Sequence, residues 1–170
     1  GGRIQYYGRS VKDSNGKGYG KISLARGFEL SSNTILVQSV YDSYKNNPKQ
    51  FVDRINSYGL NKPLGLPIKG EGKPVIPQPG TNRWSGVALP WMAFGYGLSV
   101  TPLQTLTLYN AVANDGVMVK PIFVSEIKEW NKTIKKYNTE VINPKICSQE
   151  TLDKVQAVLE NVVKKGTGSK

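Results

Sequence analysis

Gly27-Phe28-Glu29-Leu30-Ser31-Ser32-Asn33 is the stretch on which the fold turns. Ser and Asn favour the entry of a helix, because their side-chain oxygens accept hydrogen bonds from the open backbone N–H groups of the first turn. The next residues fit such an entry: Ile35, Leu36, Ser39, Val40, Ser43 and Tyr44 recur at helical spacing, and Asn46-Asn47-Pro48 stops the run. Pro48 also opens a second helix, with Phe51, Val52, Ile55 and Tyr58 on one face and Gly59 just beyond its C-cap. Taken alone, the Ser-Ser-Asn triplet is an ordinary helix cap. Its meaning depends on its surroundings.

Upstream of Phe28 the chain is polar and rich in Gly and Tyr; Arg3–Tyr7 and Ser10–Lys12 read as strands or ordered loop, and Asn15-Gly16 and Gly18-Tyr19-Gly20 as turns. Downstream, residues 61–83 alternate prolines (Pro63, Pro67, Pro74, Pro77, Pro79) with glycines (Gly65, Gly70, Gly72, Gly80), so no regular element fits. A loop this long in a compact domain is usually functional, and it is the candidate partner-binding surface. Trp84, Trp91, Met92, Phe94 and Tyr96 crowd the next stretch, where aromatic packing into core and loop is expected. Thr101-Pro102 reads as N-cap and first helical residue, with Leu103, Leu106 and Asn110 on one face and Asn114-Asp115-Gly116 closing the helix. Val117–Ile127 and Thr133–Val141 are expected to form a β-hairpin about Asn131. A last helix starts at Ser148, with Leu152, Val155, Leu159 and Val162 as its apolar stripe and Lys164, Lys165 and Gly166 at its end. The fold class expected is α+β, mainly helical, with one β-hairpin and a C-terminal helix.

Composition removes whole classes of chemistry. With no histidine there is no Ser-His-Asp triad, Cys-His pair or His-ligated metal, and the lone Cys147 forms no internal disulfide or Cys-based zinc site. Cys147 is expected as a small buried residue. Any catalysis falls to Lys, Ser, Asn, Tyr and carboxylates. The net charge of +11 attracts polyanions in general. The lysines are scattered, with runs no longer than two, so specific nucleic-acid recognition is not implied.

Several stretches, in order, resemble the transpeptidase domain of class B penicillin-binding proteins. Ser31-Ser32-Asn33 resembles the second active-site motif, Ser-x-Asn. Leu64-Gly65-Leu66-Pro67-Ile68-Lys69-Gly70-Glu71-Gly72 is similar to their Gly-Glu loop. Gly95-Tyr96-Gly97-Leu98-Ser99-Val100-Thr101-Pro102-Leu103-Gln104 is similar to their Gly-x-Gly…Thr-Pro-Leu-Gln helix start. Ala111-Val112-Ala113-Asn114-Asp115-Gly116 with Lys120-Pro121, and Gly166-Thr167-Gly168, resemble later passages. The wording around Leu64–Gly72 and Trp84–Met92 is closest to division enzymes of Bacteroidetes-like bacteria. The resemblance implies a peptidoglycan D,D-transpeptidase acting through an acyl-serine intermediate, with no metal or organic cofactor. Its substrate would be the acyl-D-Ala-D-Ala stem peptide, with β-lactams as inhibitors and cell-division proteins as partners. It further implies a bitopic membrane protein whose catalytic domain faces the periplasm. Ser31 is then the proton-shuttling hydroxyl and Asn33 the positioning amide. Ser32, between them, is expected to point away from the cleft.

The pattern departs from the family at two motifs. The nucleophile motif Ser-x-x-Lys precedes Ser-x-Asn in that family, and a Lys-Thr-Gly strand lies beyond it. Ser14–Lys17 and Ser125–Lys128 match Ser-x-x-Lys, but roughly one such match arises by chance at this Ser and Lys content. The first falls in a turn and the second in an expected strand downstream of Ser-x-Asn. Lys165-Gly166-Thr167-Gly168 has an extra glycine and sits at a helix end. The chain, residues 1–170, is therefore expected to be a middle part of the domain, inactive alone, and an oligomer of it is compatible with open sheet edges. The rival classes are a non-catalytic basic binding module and a β-lactam sensor domain.

Overall fold

The computed structural model describes residues 2–169. The chain opens with two antiparallel strands, β1 (Arg3–Tyr6) and β2 (Arg9–Lys12), in the register Arg3↔Lys12 to Tyr6↔Arg9. Tyr7 and Gly8 join them at φ of 49° and 76°, the left-handed pair that suits a two-residue hairpin. Alternation turns Ile4, Tyr6 and Val11 inward. There they meet Val37 of the long helix α2 (Asn33–Tyr44), together with Tyr41, Trp91 and Phe94. A second cluster gathers Val52 of α3 (Pro48–Ser57), Ile76 of the Pro/Gly loop and Met92 of the short helix α4 (Ala88–Met92), flanked by Phe51, Ile55 and Trp84. Trp91 and Met92, adjacent on α4, point into one cluster each, so α4 joins the two cores.

The helix starts obey their capping residues. Ser32 caps α2 and accepts from the Ile35 amide, Pro48 fills the first turn of α3, and Gly59 succeeds that helix at φ 74°. Helix α5 (Pro102–Ala113) begins with a full capping box: Thr101 accepts from the Gln104 amide while Gln104 Oε1 accepts from the Thr101 amide. Ser148 caps the 17-residue helix α6 (Gln149–Lys165). Gln156 Nε2 donates to the Val112 carbonyl at 2.7 Å and Leu152 is buried at 2% exposure, which fastens α6 across α5.

Residues 61–83 form no helix or strand, as the proline pattern requires; among the described residues their only ladder contact is the Val75–Ser99 bridge. The loop is nevertheless held. Glu71 accepts from the Leu64 and Leu66 amides, and Gln104 Nε2 donates to the Leu60 and Lys62 carbonyls.

Four expectations need correction. The β-hairpin is shorter than 117–141 and splits into two ladders: β4 (Glu126–Glu129) with β5 (Lys132–Lys136), and β3 (Met118–Val119) with β6 (Val141–Asn143). Pro121 has no N–H to give a ladder, and pairing lapses across it. Second, the structure adds two short helices to those expected, α4 and α1 (Leu24–Glu29, capped by Ser23). Third, the buried side of α5 is Gln104, Thr107 and Ala111, while Leu106 is 59% exposed. The polar residues go inside because they are bonded there, Gln104 to the loop and Thr107 Oγ1 to the Leu103 carbonyl. Fourth, Cys147 is half-buried, on the rim of an apolar groove of about 240 Å³ between α5 and α6.

Candidate active site

Between α1 and α2 the chain turns in three residues. Leu30 is the C-cap of α1; the Ser31 amide donates to the Phe28 carbonyl at 2.9 Å and the Ser32 amide to the Gly27 carbonyl at 2.8 Å. This is the Schellman pairing, and it forces the residue after the C-cap into the left-handed region. That residue is normally glycine. Here it is Ser31, at φ 52°. A side chain there costs roughly 1–2 kcal/mol of backbone strain, since Cβ crowds the following carbonyl. A serine held where glycine would sit more easily points to a use for its hydroxyl.

The turn throws the three residues in different directions. Ser31 and Asn33 both line one depression of about 590 Å³, walled by Leu36, Phe94, Tyr109 and Leu159 among others. Ser32 faces the other way and is fully buried, as expected. Its hydroxyl donates to Asp13 Oδ1 at 3.0 Å. Asp13, directly after β2 and 4% exposed, also accepts from the Thr34 amide at 3.0 Å and from Thr34 Oγ1 at 2.7 Å. The carboxylate thus satisfies an open amide of the first turn of α2 and lies at the positive end of that helix. Asn33 Nδ2 donates to the Lys12 carbonyl at 2.9 Å. An amide side chain has two N–H donors and a carbonyl acceptor. Among the described residues one N–H and the Asn33 carbonyl stay free for a ligand. The end of strand β2 and the residue after it therefore pin both sides of the motif, through Lys12 and Asp13.

The end of α6 closes another side of the depression. Ser31 Oγ lies 3.1 Å from Thr167 Oγ1, and the Thr167 amide donates to the Glu29 carbonyl at 3.1 Å. Arg26 Nη1 bonds Glu29 Oε2 at 2.8 Å and the Lys165 carbonyl at 3.1 Å. The Arg26 hydrogen bond, aided by the nearby positive charges of Lys165 and Arg26, holds the Glu29 carboxyl below the usual glutamate range against the opposing effect of burial.

Against models of protein families, residues 2–170 match the penicillin binding protein transpeptidase domain. The chain belongs to that family. Among transpeptidase relatives, the penicillin-binding protein PbpB of Mycobacterium tuberculosis is 29% identical over 166 residues, 96% of this chain and 23% of PbpB. The peptidoglycan D,D-transpeptidase FtsI of Escherichia coli is 34% identical over 76 residues, 45% of this chain and 12% of FtsI. A crystal structure of penicillin binding protein 3 from Mycobacterium tuberculosis, complexed with aztreonam, superposes with a TM-score of 0.80 at 28% identity. It covers 99% of this chain and 38% of that one. The chain thus spans less than a quarter of the length of these curated relatives. The α+β expectation and the transpeptidase fold agree with these matches.

Neither Ser-x-x-Lys match forms a helical Ser-Lys pair. Ser14–Lys17 lies in a turn, and Ser125–Lys128 runs into β4, so neither provides the one-turn helical spacing of a Ser-Lys pair. Among the described residues no group of three His, Cys, Asp or Glu side chains could hold a metal ion, and no helix is long and apolar enough to cross a membrane. Sequence reasoning missed Asp13, and it quoted Gly166-Thr167-Gly168 only as a family-like passage, not as a partner of Ser31. Asp13 and Thr167 both reach Ser31–Asn33 only through the fold.

Proposed function

We propose that this chain supplies the Ser-x-Asn wall of a class B, division-type peptidoglycan D,D-transpeptidase, with Ser31 as the proton-shuttling hydroxyl and Asn33 as the positioning amide. The observation that carries the reading is the left-handed serine. Ser31 is held in a glycine conformation with its hydroxyl at the depression that Asn33 also lines. In the reaction, a serine hydroxyl attacks the carbonyl carbon between the two D-Ala residues of a stem peptide. Its proton passes to a lysine amine and onward through Ser31 to the departing nitrogen, which leaves as free D-Ala. The amine of a second stem peptide then displaces the serine from the ester. Asn33 has the free N–H and carbonyl needed to hold a substrate peptide group and an amine at once.

The nucleophile of this reading comes from a Ser-x-x-Lys segment outside these 170 residues, and the substrate carboxylate is met by a Lys-Thr-Gly strand also outside them. The names of the relatives, penicillin-binding protein and peptidoglycan D,D-transpeptidase, support a β-lactam-binding site and action on peptidoglycan; the role in division, the membrane-anchored, periplasmic setting and division-protein partners are part of the same proposal. Intact-mass spectrometry after incubation with a penicillin tests it. The 170-residue chain should stay unmodified, while a protein joining it to its Ser-x-x-Lys and Lys-Thr-Gly segments should gain one penicilloyl group. No adduct on the longer protein would overturn the reading, and an adduct on the short chain would place the nucleophile within it.

A further inference from the structure

The end of α6 is fastened to the Ser31 corner by contacts that do not involve the Thr167 side chain. Arg26 Nη1 donates to the Lys165 carbonyl and the Thr167 amide to the Glu29 carbonyl. Gly166 lies so near that a Cβ there would stand 2.3 Å from the Glu29 carbonyl oxygen, so only glycine permits the approach. These contacts place the backbone of Thr167 and leave its hydroxyl to a single side-chain partner among the described residues, Ser31 Oγ at 3.1 Å.

A free serine hydroxyl rotates, and its one proton and two lone pairs take no fixed direction. A hydroxyl that relays protons needs one lone pair open toward the proton it receives and its own O–H aimed at the group it protonates. We propose that Thr167 is a positioning residue for Ser31, donating its O–H to one Ser31 lone pair so that the Ser31 proton points into the depression. The inference rests on the transpeptidase reading and deepens it. The proton count is unchanged by Thr167, which keeps its own proton: Ser31 gives one to the departing nitrogen as it takes one from the lysine amine that deprotonated the nucleophile. The hydroxyl is fixed before substrate arrives, so that reorientation is not left to the reaction step.

The test uses the protein that joins this chain to its Ser-x-x-Lys and Lys-Thr-Gly segments. Acylation by a fluorescent penicillin is monitored by stopped flow as a function of concentration, which separates the saturating acylation rate from the apparent dissociation constant. Thr167→Val replaces the hydroxyl by a methyl of like shape and keeps the amide bond to Glu29. It should lower the saturating rate about fivefold, the size of one neutral hydrogen bond, with the dissociation constant unchanged and the melting temperature lowered by no more than about 4 °C, the loss of one exposed hydrogen bond. Thr167→Ser should restore most of the rate. A wild-type rate in Thr167→Val would overturn the inference, as would a loss confined to binding or to melting temperature, or a failure of Thr167→Ser to recover. Absence of labelling in the unaltered protein would instead sink the transpeptidase reading itself.

Discussion

Replacing Ser31 by glycine should make the chain more stable than the Ser31→Ala variant while removing a hydroxyl central to the proposed chemistry. Ser31 occupies the left-handed position of the Schellman turn at φ 52°. The strain of a side chain there is roughly 1–2 kcal/mol. Glycine escapes it but loses about 0.5–1 kcal/mol through the extra freedom of its unfolded chain. The net gain is about 1 kcal/mol, before subtracting the exposed hydrogen bond to Thr167. Ser31→Ala removes the same bond and keeps the strain, so the comparison of Ser31→Gly with Ser31→Ala isolates the backbone. For a chain of 170 residues, about 1 kcal/mol raises the melting temperature by roughly 2–4 °C. Differential scanning calorimetry of the two variants reads this directly. If Ser31→Gly melts at or below Ser31→Ala, the serine is not strained, and the inference from strain to function fails with it.

Three further outcomes are expected at the same corner. Asp13→Ala leaves the Ser32 hydroxyl and both Thr34 donors buried without their acceptor and should cost roughly 3 kcal/mol or more; urea denaturation measures it, with Asp13→Asn expected between that variant and wild type. Gly27→Ala would set a Cβ 2.6 Å from Ile35 Cγ2 on a stiff β-branched side chain, so overpacking of about 1–3 kcal/mol should outweigh the roughly 1 kcal/mol gain in helix propensity. Thermal melting checks the sign, and adding Ile35→Ala should recover part of the loss. Glu29 is held below its usual pKa by Arg26, so its contribution is complete above the ordinary glutamate value and fades as pH falls through the lowered one. Wild type should therefore lose stability relative to Glu29→Gln below about pH 4, read by melting across pH.

The parts of the fold legible in the sequence are those written in local chemistry. Thr101-Pro102 with Gln104 three residues after the cap, Ser148 before an apolar stripe, and Gly59 after the second helix each declare a helix end by groups that bond within one turn. Residues 61–83 are legible as irregular because proline forbids the alternatives. Helix α1 is not, since six residues with a central glycine are too short to show a period. The α5 face misleads because Gln104 is buried by a bond to carbonyls about 40 residues away, which no periodicity records. The site divides in the same way. Ser31 and Asn33 stand out as a motif, but Asp13 lies 21 residues from Thr34 and Thr167 lies 136 from Ser31. Such distant partners become visible only when the chain is folded. The conformation of Ser31 is hidden for a further reason, since local propensity would put glycine there.

The most direct measurement is a crystal structure of the penicilloyl adduct of the protein that joins this chain to its nucleophile segment. The bound penicillin should lie in the depression lined by Ser31 and Asn33, with Asn33 Nδ2 within hydrogen-bond distance of the penicillin side-chain carbonyl. Ser31 Oγ should face the opened ring nitrogen, with Thr167 Oγ1 still at its other side. An adduct seated elsewhere, with Ser31 and Asn33 out of reach of the ligand, would contradict the transpeptidase reading.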